Sequence, residues 1–476
     1  MRYNRFHKST GFLTPTTYTQ ELSEYVSGLQ YEDLPAEVVA KAKAILVNTV
    51  GAALAGRSTK AAQDALRIAA EANGGFGGGV TVWGSGEKLS AVNAAYVLGT
   101  MADALDWEDA AWAGHPASAA VSAAWAAAQE KHKSGKDLIT AIVAAYEVYH
   151  RVAMHIFPSR ERRLAKGIGE ASWQIFAGIV PAAKLYGLDA RKVNQALGMG
   201  CESSPLPTTY HSVTKSNSKY HEYGYRAKDG ILIAKCVEKG INNNRDALDE
   251  ARCYLNGMCG VPLGQQPAAG ETDLTWLTRE LGKDYMILKT ALKRWPAHIL
   301  AQASANALDS LVKQYGFAAG DVAEIQVSSA VEDLMALPAE KTAMCAQSSI
   351  PYTLAAVLTA APGAVWFSEE MMGAPAVLEL AGCVKAVGAT IHSVDAYEQI
   401  RLNGNFTSEV TVVLKDGSKY TAQGAADAGV DLSAAAELFC LQSAGVLPEE
   451  KAEAAVSALK NIESCEDIAA LAEVLA

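Results

Sequence analysis

MADALDWEDAAWAGHP, residues 101–116, separates two segments whose apolar residues recur with helical spacing, Leu89–Leu105 and Pro116–Lys133. Proline at position 116 suits the first turn of a helix, where its missing N–H is harmless. We therefore expect His115 beside a helix N-terminus, whose unpaired N–H groups favour an anion. Three carboxylates precede this histidine, namely Asp106, Glu108 and Asp109. The stretch predicts a site of proton transfer on an acidic substrate, although carboxylates before a histidine also commonly solvate a loop.

The composition of the chain limits its size and its partners. Its 476 residues are enough for two or three domains with a large core. The formal net charge of −11 argues against a general nucleic-acid binder. An acidic protein that handles an acidic substrate has to concentrate its few cations at one place, which makes individual lysines candidates for that site.

Cysteine usage and apolar runs bear on the compartment and on cofactors. The eight cysteines are scattered with no CxxC pair, which predicts a reduced chain without a zinc ribbon or an iron–sulfur cluster. The basic N-terminus has no apolar signal-peptide segment after it, and the Ala-rich runs are too short to span a bilayer. The sequence therefore predicts a cytoplasmic protein that does not bind a membrane. The glycine cluster Gly74–Gly79 precedes the β-type run Val80–Trp83 instead of following it, so we expect no dinucleotide site.

Apolar periodicity predicts a mainly α fold. One strong helix is expected over residues 36–55, and residues 89–180 read as almost wholly helical. After Gly260 helices alternate with β-type runs, and Lys415–Ser418 has the composition of a hairpin turn. The predicted strands are Val322–Val327, Ser408–Leu414 and Lys419–Gln423.

The same pattern predicts two domains. We expect a large all-helical domain of residues 1–265 plus 426–476 and a smaller α+β domain of residues 266–425, because the helical pattern returns at Leu432. The strongest cationic cluster is FPSRERRLAK, residues 157–166. It is either an exposed loop or a clamp for an anionic substrate, and its composition favours the loop.

Several stretches, taken in order, resemble the MmgE/PrpD family. That family includes 2-methylcitrate dehydratase, cis-aconitate decarboxylase and iminodisuccinate epimerase. The resemblance runs from about residue 20 to the C-terminus and implies a helical domain with an α+β lid, in a homodimer. The stretches are DLPAEVVAKAKAILVNTVGAALAG (33–56), GGGVTVWGSGEKLSAVNAAYVLGTMADALDWED (77–109) with HPAS (115–118), SGKDLITAIVAAYEV (134–148), KLYGLD (184–189), LKRWPAHI (292–299) and SSIPYTLAAVL (348–358).

The resemblance marks five positions as site residues: Asp106, His115, Lys219, Lys293 and Tyr352. Lys219 follows the polar run Ser216–Ser218, which favours the binding of a substrate carboxylate, and we expect the other four to be catalytic. Lysines can hold the carboxylates of a small acid as point charges. His115 would transfer the proton with Asp106 orienting it, and Tyr352 would bond the developing enolate. Because Arg294 and Trp295 follow Lys293, we also expect a lowered pKa for Lys293.

The chain departs from the family pattern at three places. Ala110 stands where many members have a threonine, and Asp103 where many have a histidine. A further family histidine falls in the segment GIGEASWQIF, where only Glu170, Ser172 or Trp173 could take its place. These changes argue against a cis-aconitate decarboxylase and favour a different substrate.

The chemistry implied by these residues is that of a lyase without metal or cofactor. The leading hypothesis is a dehydratase of a small hydroxy-polycarboxylic acid, a di- or tricarboxylate, by general acid–base catalysis. The same proton abstraction would serve an epimerase or isomerase of a substituted succinate, or a decarboxylase. A non-catalytic helical homodimer is another alternative. The last is a metalloenzyme, although no His-rich ligand set accompanies the acids; its ligands would be Asp103, Asp106, Asp109 and His115.

Overall fold

The computed structural model of the chain describes residues 16–156, 172–204, 218–249, 254–261, 265, 267–338 and 340–476. The cationic segment 157–166 and Glu170 lie outside the described residues. The fold is 61% helical with a few small sheets, which confirms the predicted mainly α class with a smaller α+β region.

Helices dominate the described chain before residue 265. They are α1 (Tyr18–Gly28), α2 (Ala36–Gly56), α3 (Lys60–Asn73), α4 (Ala91–Asp103), α5 (Ala117–Glu130), α6 (Gly135–Ile156), α7 (Gln174–Leu185), α8 (Ala190–Ser203), α9 (Lys219–Glu238) and α10 (Tyr254–Cys259). Two short antiparallel strands lie between α3 and α4, β1 (Val80–Thr81) and β2 (Lys88–Leu89).

Helix α2 shows how the apolar pattern becomes a core element. It begins directly after Pro35, and most of its side chains are buried. Its 21 residues are long and apolar enough to cross a membrane, but 83% of the most apolar window is buried inside the molecule. A helix that is apolar on all sides and buried to this extent is also what the core of a large protein contains.

Helices α4, α5 and α9 pack against one another. Glycines allow α4 and α9 to approach closely, because a Cβ on Gly99 would lie 2.9 Å from the Cα of Gly224. A Cβ on Gly224 would in turn lie 2.4 Å from the carbonyl oxygen of Tyr96. This close packing sets the position of Lys219 at the start of α9 relative to Asp103 at the end of α4.

A four-stranded sheet forms the β part of the chain after residue 265. Its order is β6-β5-β7-β8, with β5 parallel to β6 and the other neighbours antiparallel. The strands are β5 (Val322–Ser328), β6 (Val384–Val387), β7 (Thr407–Leu414) and β8 (Lys419–Ala425). Three of them match the predicted runs, and the turn between β7 and β8 is closed by a bond from the amide of Leu414 to the carbonyl of Ser418, as the hairpin signal indicated.

Helices cover this sheet and return the chain to the first region. Helix α11 (Ile299–Tyr315) packs on β7 and β8, and α17 (Leu432–Ser443) packs on α2. The others are α12 (Ala343–Gln347), α13 (Ile350–Thr359), α14 (Glu369–Gly373), α15 (Pro375–Gly382), α16 (Ser393–Asn403), α18 (Glu449–Lys460) and α19 (Ile468–Ala472). The division into domains of residues 1–265 plus 426–476 and 266–425 stays a prediction.

One strand pair joins the two parts of the chain. Strand β3 (Asp109–Ala110) pairs antiparallel with β4 (Ala291–Leu292). The segment 89–180, which reads as almost wholly helical, is therefore interrupted by a strand. No local pattern could indicate this pairing, because its two strands are far apart in the sequence.

Candidate active site

The loop after α4 brings two carboxylates together. Helix α4 ends at Asp103, and the amide of Asp106 then donates to the carbonyl of Asp103 at 2.9 Å. Asp106 has φ +52°, a left-handed conformation that aspartate tolerates better than most residues. Such backbone costs on the order of 1–3 kcal/mol and is concentrated at functional sites. The turn places the side chains of Asp103 and Asp106 against the same ammonium group.

Two buried lysines bind these carboxylates. The Nζ of Lys219 lies 3.2 Å from Oδ1 of Asp103 and 3.7 Å from Oδ1 of Asp106. The Nζ of Lys293 lies 2.6 Å from the same oxygen of Asp106 and 3.4 Å from Oε1 of Glu108. Only 9% of the Lys219 side chain and 1% of the Lys293 side chain are exposed. Lysines from two distant stretches therefore meet, as the two-lysine interpretation requires.

His115 completes this group of six side chains, the charged cluster: Asp103, Asp106, Glu108, His115, Lys219 and Lys293. The Nδ1 of His115 lies 2.6 Å from Oε1 of Glu108 but 3.6 Å from Oδ1 of Asp106. The carboxylate bonded to the imidazole is therefore that of Glu108, and the expectation that Asp106 orients His115 is corrected. The ring of Tyr223, on α9, lies beside the imidazole with its centroid 5.1 Å away.

The β3–β4 pair aligns the two parts of the cluster. The amide of Lys293 donates to the carbonyl of Glu108 at 3.0 Å, which continues the pairing by one residue. The indole Nε1 of Trp107 donates to the carbonyl of Arg294 at 3.0 Å. A backbone hydrogen bond at Lys293 and a side-chain hydrogen bond to the next residue therefore fix the lysine next to the carboxylate loop.

Burial and lysine charges move the carboxyl pKa values in opposite directions. Burial raises the pKa of Asp103 to about 7, although the charge of Lys219 opposes the shift. Burial also acts on Asp106 and Glu108, but the charge of Lys293 and the groups around it lower both pKa values below their usual range. Two carboxylates are thus held ionised, while Asp103 can exchange a proton near neutral pH.

The pKa values of the basic groups of the cluster are shifted upward overall, because facing carboxylates outweigh the effect of burial. Burial and the charge of Lys293 lower the pKa of His115, but the bond to Glu108 and the charge of that carboxylate raise it further, so the net shift is upward. Burial likewise lowers the pKa of Lys293, and the charges of Asp106 and Glu108 more than reverse the effect. The expected lowering of the Lys293 pKa is therefore wrong, because facing carboxylates outweigh Arg294 and Trp295.

Asp109 does not belong to the charged cluster. Its Oδ1 accepts from the amide of Ala117 at 3.1 Å, and its Oδ2 accepts from the hydroxyl of Tyr146. Burial raises the pKa of Asp109 to about 6. The anion at the N-terminus of α5 is therefore the side chain of Asp109. It occupies the place where the sequence predicted a substrate anion.

Four cluster residues could also be considered as metal ligands. The ligand atoms of Asp103, Asp106, Glu108 and His115 lie within 4.8 Å of one another, so Glu108 takes the place of Asp109 in the metal alternative. However, the ammonium groups of Lys219 and Lys293 already contact the three carboxylates. A divalent ion among them would be repelled by two neighbouring positive charges. The donor set therefore fits internal ion pairs better than a metal.

Tyr352 lies outside the group that the other four predicted residues form. It is in α13, 1% exposed, and its hydroxyl donates to the backbone carbonyl of Trp366. The ring of Trp366 stacks on Trp295, two residues after Lys293, with centroids 6.0 Å apart. In this structure Tyr352 supports the lysine segment through two intermediate rings, and the described hydrogen bonds include none from its hydroxyl to the cluster.

His298 faces the cluster but was not singled out by the sequence reasoning. Its Nδ1 accepts from the amide of Leu300 at 3.3 Å, so its Nε2–H is the nitrogen that donates to the hydroxyl of Tyr397 at 3.2 Å. Burial lowers its pKa to about 4, so it is neutral, although the charge of Asp106 opposes the shift. Its position in LKRWPAHI, five residues after Lys293, was the available signal.

The departures from the family pattern have structural consequences. Ala110 is 1% exposed in β3, and Asp103 is in the cluster itself. The carbonyl of Ser172 accepts from the hydroxyl of Tyr254 at 2.8 Å, and Trp173 donates to the carbonyl of Ala113 at 2.9 Å. Of these positions, as far as the structure describes them, only Asp103 brings an ionisable group to the site.

Comparisons with known proteins give a family match and two similar relatives. The family model of the MmgE/PrpD N-terminal domain matches residues 20–265, a range that contains the carboxylate loop and Lys219. The chain is 24% identical to cis-aconitate decarboxylase of Homo sapiens over 480 residues, which cover 96% of this chain and 94% of that protein. It is also 24% identical to cis-aconitate decarboxylase of Aspergillus terreus over 310 residues, 62% of this chain and 60% of that protein.

Proposed function

Since the chain belongs to the MmgE/PrpD family, we propose that it is a dehydratase that removes water from a small hydroxy-polycarboxylic acid. The family and the relatives make it a lyase of the kind that acts on small polycarboxylates. The observation that carries the proposal is a proton-transfer pair, His115 and Glu108, beside two buried lysines.

The lysines provide the binding site for substrate carboxylates. In the structure Lys219 and Lys293 are neutralised by Asp103 and Asp106. A carboxylate of the substrate can take the place of a side-chain carboxylate on each ammonium group, with the same charge-assisted geometry. Because the two ammonium groups contact a common Asp106 oxygen, they are close enough to bind two carboxylates of one small molecule.

The His115–Glu108 pair supplies the proton transfer. The carboxylate of Glu108 accepts from Nδ1, so the exchange with a substrate occurs at Nε2 of His115. In the neutral state His115 removes the proton from the carbon next to a bound carboxylate. The raised pKa of His115 makes it a stronger base, at the cost of a larger protonated fraction at neutral pH.

Dehydration follows from these two functions. The C–H electron pair forms the carbon–carbon double bond and the C–O bond breaks. The leaving hydroxide takes the proton that His115 has accepted, so water leaves and His115 returns to its neutral state. The negative charge that develops on the carboxylate next to the reacting carbon is stabilised by the ammonium group that binds it. The lysines thereby take the enolate-stabilising role expected of Tyr352, whose hydroxyl is bonded to Trp366.

Decarboxylation is the second candidate, because both relatives are named cis-aconitate decarboxylase. In that reaction the bond to one carboxylate breaks, carbon dioxide leaves, and the carbon that keeps the electron pair takes a proton from protonated His115. The same residues would serve both reactions. The difference lies in which bond of the substrate is held next to the histidine.

A substrate panel tests the proposal. The purified protein is incubated with citrate, 2-methylcitrate, malate and cis-aconitate while enoate absorbance and carbon dioxide are followed. We expect absorbance to rise with a hydroxy acid and no carbon dioxide to form. Release of carbon dioxide from cis-aconitate would replace the dehydratase by the decarboxylase. Deuterium uptake from ²H₂O without loss of water would indicate an epimerase.

A further inference from the structure

Asp103 is fully buried, and one of its carboxylate oxygens has no hydrogen-bond partner among the described residues. Its Oδ1 accepts from Lys219 at 3.2 Å, and the residue has 0% exposure. Its Oδ2 is buried and, among the described residues, forms no hydrogen bond. A buried acceptor without a donor is costly and calls for a functional explanation.

The groups that face Asp103 leave the cluster without spare positive charge. Lys219 faces it from α9, and His115 from the end of the carboxylate loop with Nδ1 3.7 Å from Oδ1. Asp106 and Glu108 face it from the same loop, and Lys293 binds those two carboxylates. With His115 protonated, three positive groups balance three carboxylates. A dicarboxylate that enters this closed site adds two negative charges that no group of the cluster compensates.

We propose that Asp103 determines specificity by taking up a proton from solvent when a substrate carboxylate binds Lys219, and by donating the new Oδ2–H to that carboxylate. The inference rests on the proposed function, because it assumes that the cluster binds a polycarboxylate. The only bond formed is the O–H bond on Oδ2, and the proton comes from water or buffer. The step removes one negative charge from the site and gives Oδ2 its missing partner.

Asp103 is the carboxyl group suited to this role. The charges of Lys219 and Lys293 hold Asp106 ionised, and Lys293 and His115 do the same for Glu108. Burial has already raised the pKa of Asp103 to about 7, and the bound anion raises it further because it adds a like charge nearby and engages Lys219. In the complex the Asp103 side chain is therefore an uncharged acid whose Oδ2–H donates to a substrate carboxylate. An ammonium or hydroxyl group at the same place would find a donor instead of an acceptor.

The linkage has a definite sign. Asp103 is protonated in the complex, so above the pKa that it has in the free protein binding must be accompanied by uptake of a proton. The affinity therefore falls as the pH rises above that pKa. Affinity for a dicarboxylate is therefore constant below about pH 7 and falls by about tenfold per pH unit above it. Binding at pH 8 takes up about one proton.

Calorimetry with succinate as the probe tests the proposal on the full-length protein. Titrations at pH 8 in Hepes and in Tris, which differ in ionisation enthalpy, give the number of protons taken up. We expect about one for the wild type and for the control Asp109→Asn, and none for Asp103→Asn. His115→Asn tests separately whether the histidine is the group that takes up the proton. Asp109 is a suitable control because it is a buried carboxyl of the same loop whose partners are Tyr146 and the Ala117 amide.

The wild-type titration decides the matter even if a variant fails to fold. Succinate binding without proton uptake would overturn the role of Asp103 and leave the proposed function standing. Proton uptake that persists in Asp103→Asn would also overturn it, and its loss in His115→Asn would assign the proton to the histidine instead. No binding of succinate to the wild type at pH 6 would overturn the anion site and the proposed function together.

Discussion

At the scale of single residues, His115 is the side chain on which the proposed reaction depends. A positioned general acid or base contributes roughly 10²–10⁴ in rate. We expect His115→Asn to lower kcat by about that factor on the true substrate while the melting temperature stays close to that of the wild type. His221→Asn is the control, since His221 bonds to Tyr96 at 2.9 Å and is not in the cluster. Near-normal kcat in His115→Asn would remove His115 from the mechanism.

The two lysines are expected to differ in kinetic effect. Lys293 contacts Asp106 and also Glu108, the carboxylate that holds His115, whereas Lys219 contacts Asp103. A bond to a charged group is worth about 1.5–3 kcal/mol. We therefore predict that Lys219→Ala raises KM about 10–100-fold with little change in kcat, and that Lys293→Ala lowers kcat strongly.

Hydrogen exchange into the substrate separates these two lysine roles. In ²H₂O the wild type should exchange the hydrogen next to the substrate carboxylate, and Lys293→Ala should do so more slowly. The Asp103 carboxyl left behind in Lys219→Ala can be protonated near pH 7, so this variant is expected to fold. If hydrogen exchange stayed fast in Lys293→Ala and were lost in Lys219→Ala, the catalytic role would belong to Lys219 and the binding role to Lys293.

The charge arrangement of the cluster also predicts how turnover responds to chelators. The ammonium groups of Lys219 and Lys293 contact the carboxylates that a divalent ion would need. We expect activity to survive dialysis against EDTA and to show no gain when magnesium, manganese or zinc is added back. A requirement for one of these ions would favour the metalloenzyme alternative.

At the scale of secondary-structure elements, the contact between α4 and α9 controls the distance from Lys219 to Asp103. A Cβ on Gly224 would lie 2.4 Å from Oγ1 of Thr100. We predict that Gly224→Ala lowers the free energy of unfolding by about 1–3 kcal/mol, as overpacking does, and raises KM because α9 has to shift.

The control for this prediction is another glycine inside a helix. Among the described residues, no atom outside the helix's own backbone lies within 4 Å of a Cβ built on Gly257 in α10. Gly257→Ala should therefore be neutral or stabilising by up to about 1 kcal/mol. Urea unfolding and KM are measured for both variants. If Gly224→Ala behaved like Gly257→Ala, the close packing of α4 and α9 would not be what positions Lys219.

At the scale of the whole molecule, a substrate that bridges Lys219 and Lys293 links the two predicted domains. The strands β3 and β4 lie at that junction. We predict that succinate slows amide hydrogen exchange at residues 109–110 and 291–293, because binding favours the joined state. The β7–β8 hairpin should be unaffected, since it lies on the four-stranded sheet. Equal rates with and without succinate in β3 and β4 would argue against a site at this junction.

Local pattern was sufficient for much of the fold. Helix α2 and the hairpin strands β7 and β8 follow from apolar spacing and turn residues, which depend on neighbours in the sequence. The family resemblance selected Asp106, His115, Lys219 and Lys293, and the structure brings these four together. Their residue types and order were visible in the chain without coordinates.

Other features were decided only by tertiary structure, because they depend on groups distant in sequence. The β3–β4 pair joins segments far apart along the chain, and it brings Lys293 against Asp106 and Glu108. The direction of the Lys293 pKa shift also depends on facing carboxylates, which sequence neighbours could not reveal. The amino-acid sequence by itself determined which charges the site contains, and the packing of distant segments determined which charges touch, because electrostatic energy depends on distance in space.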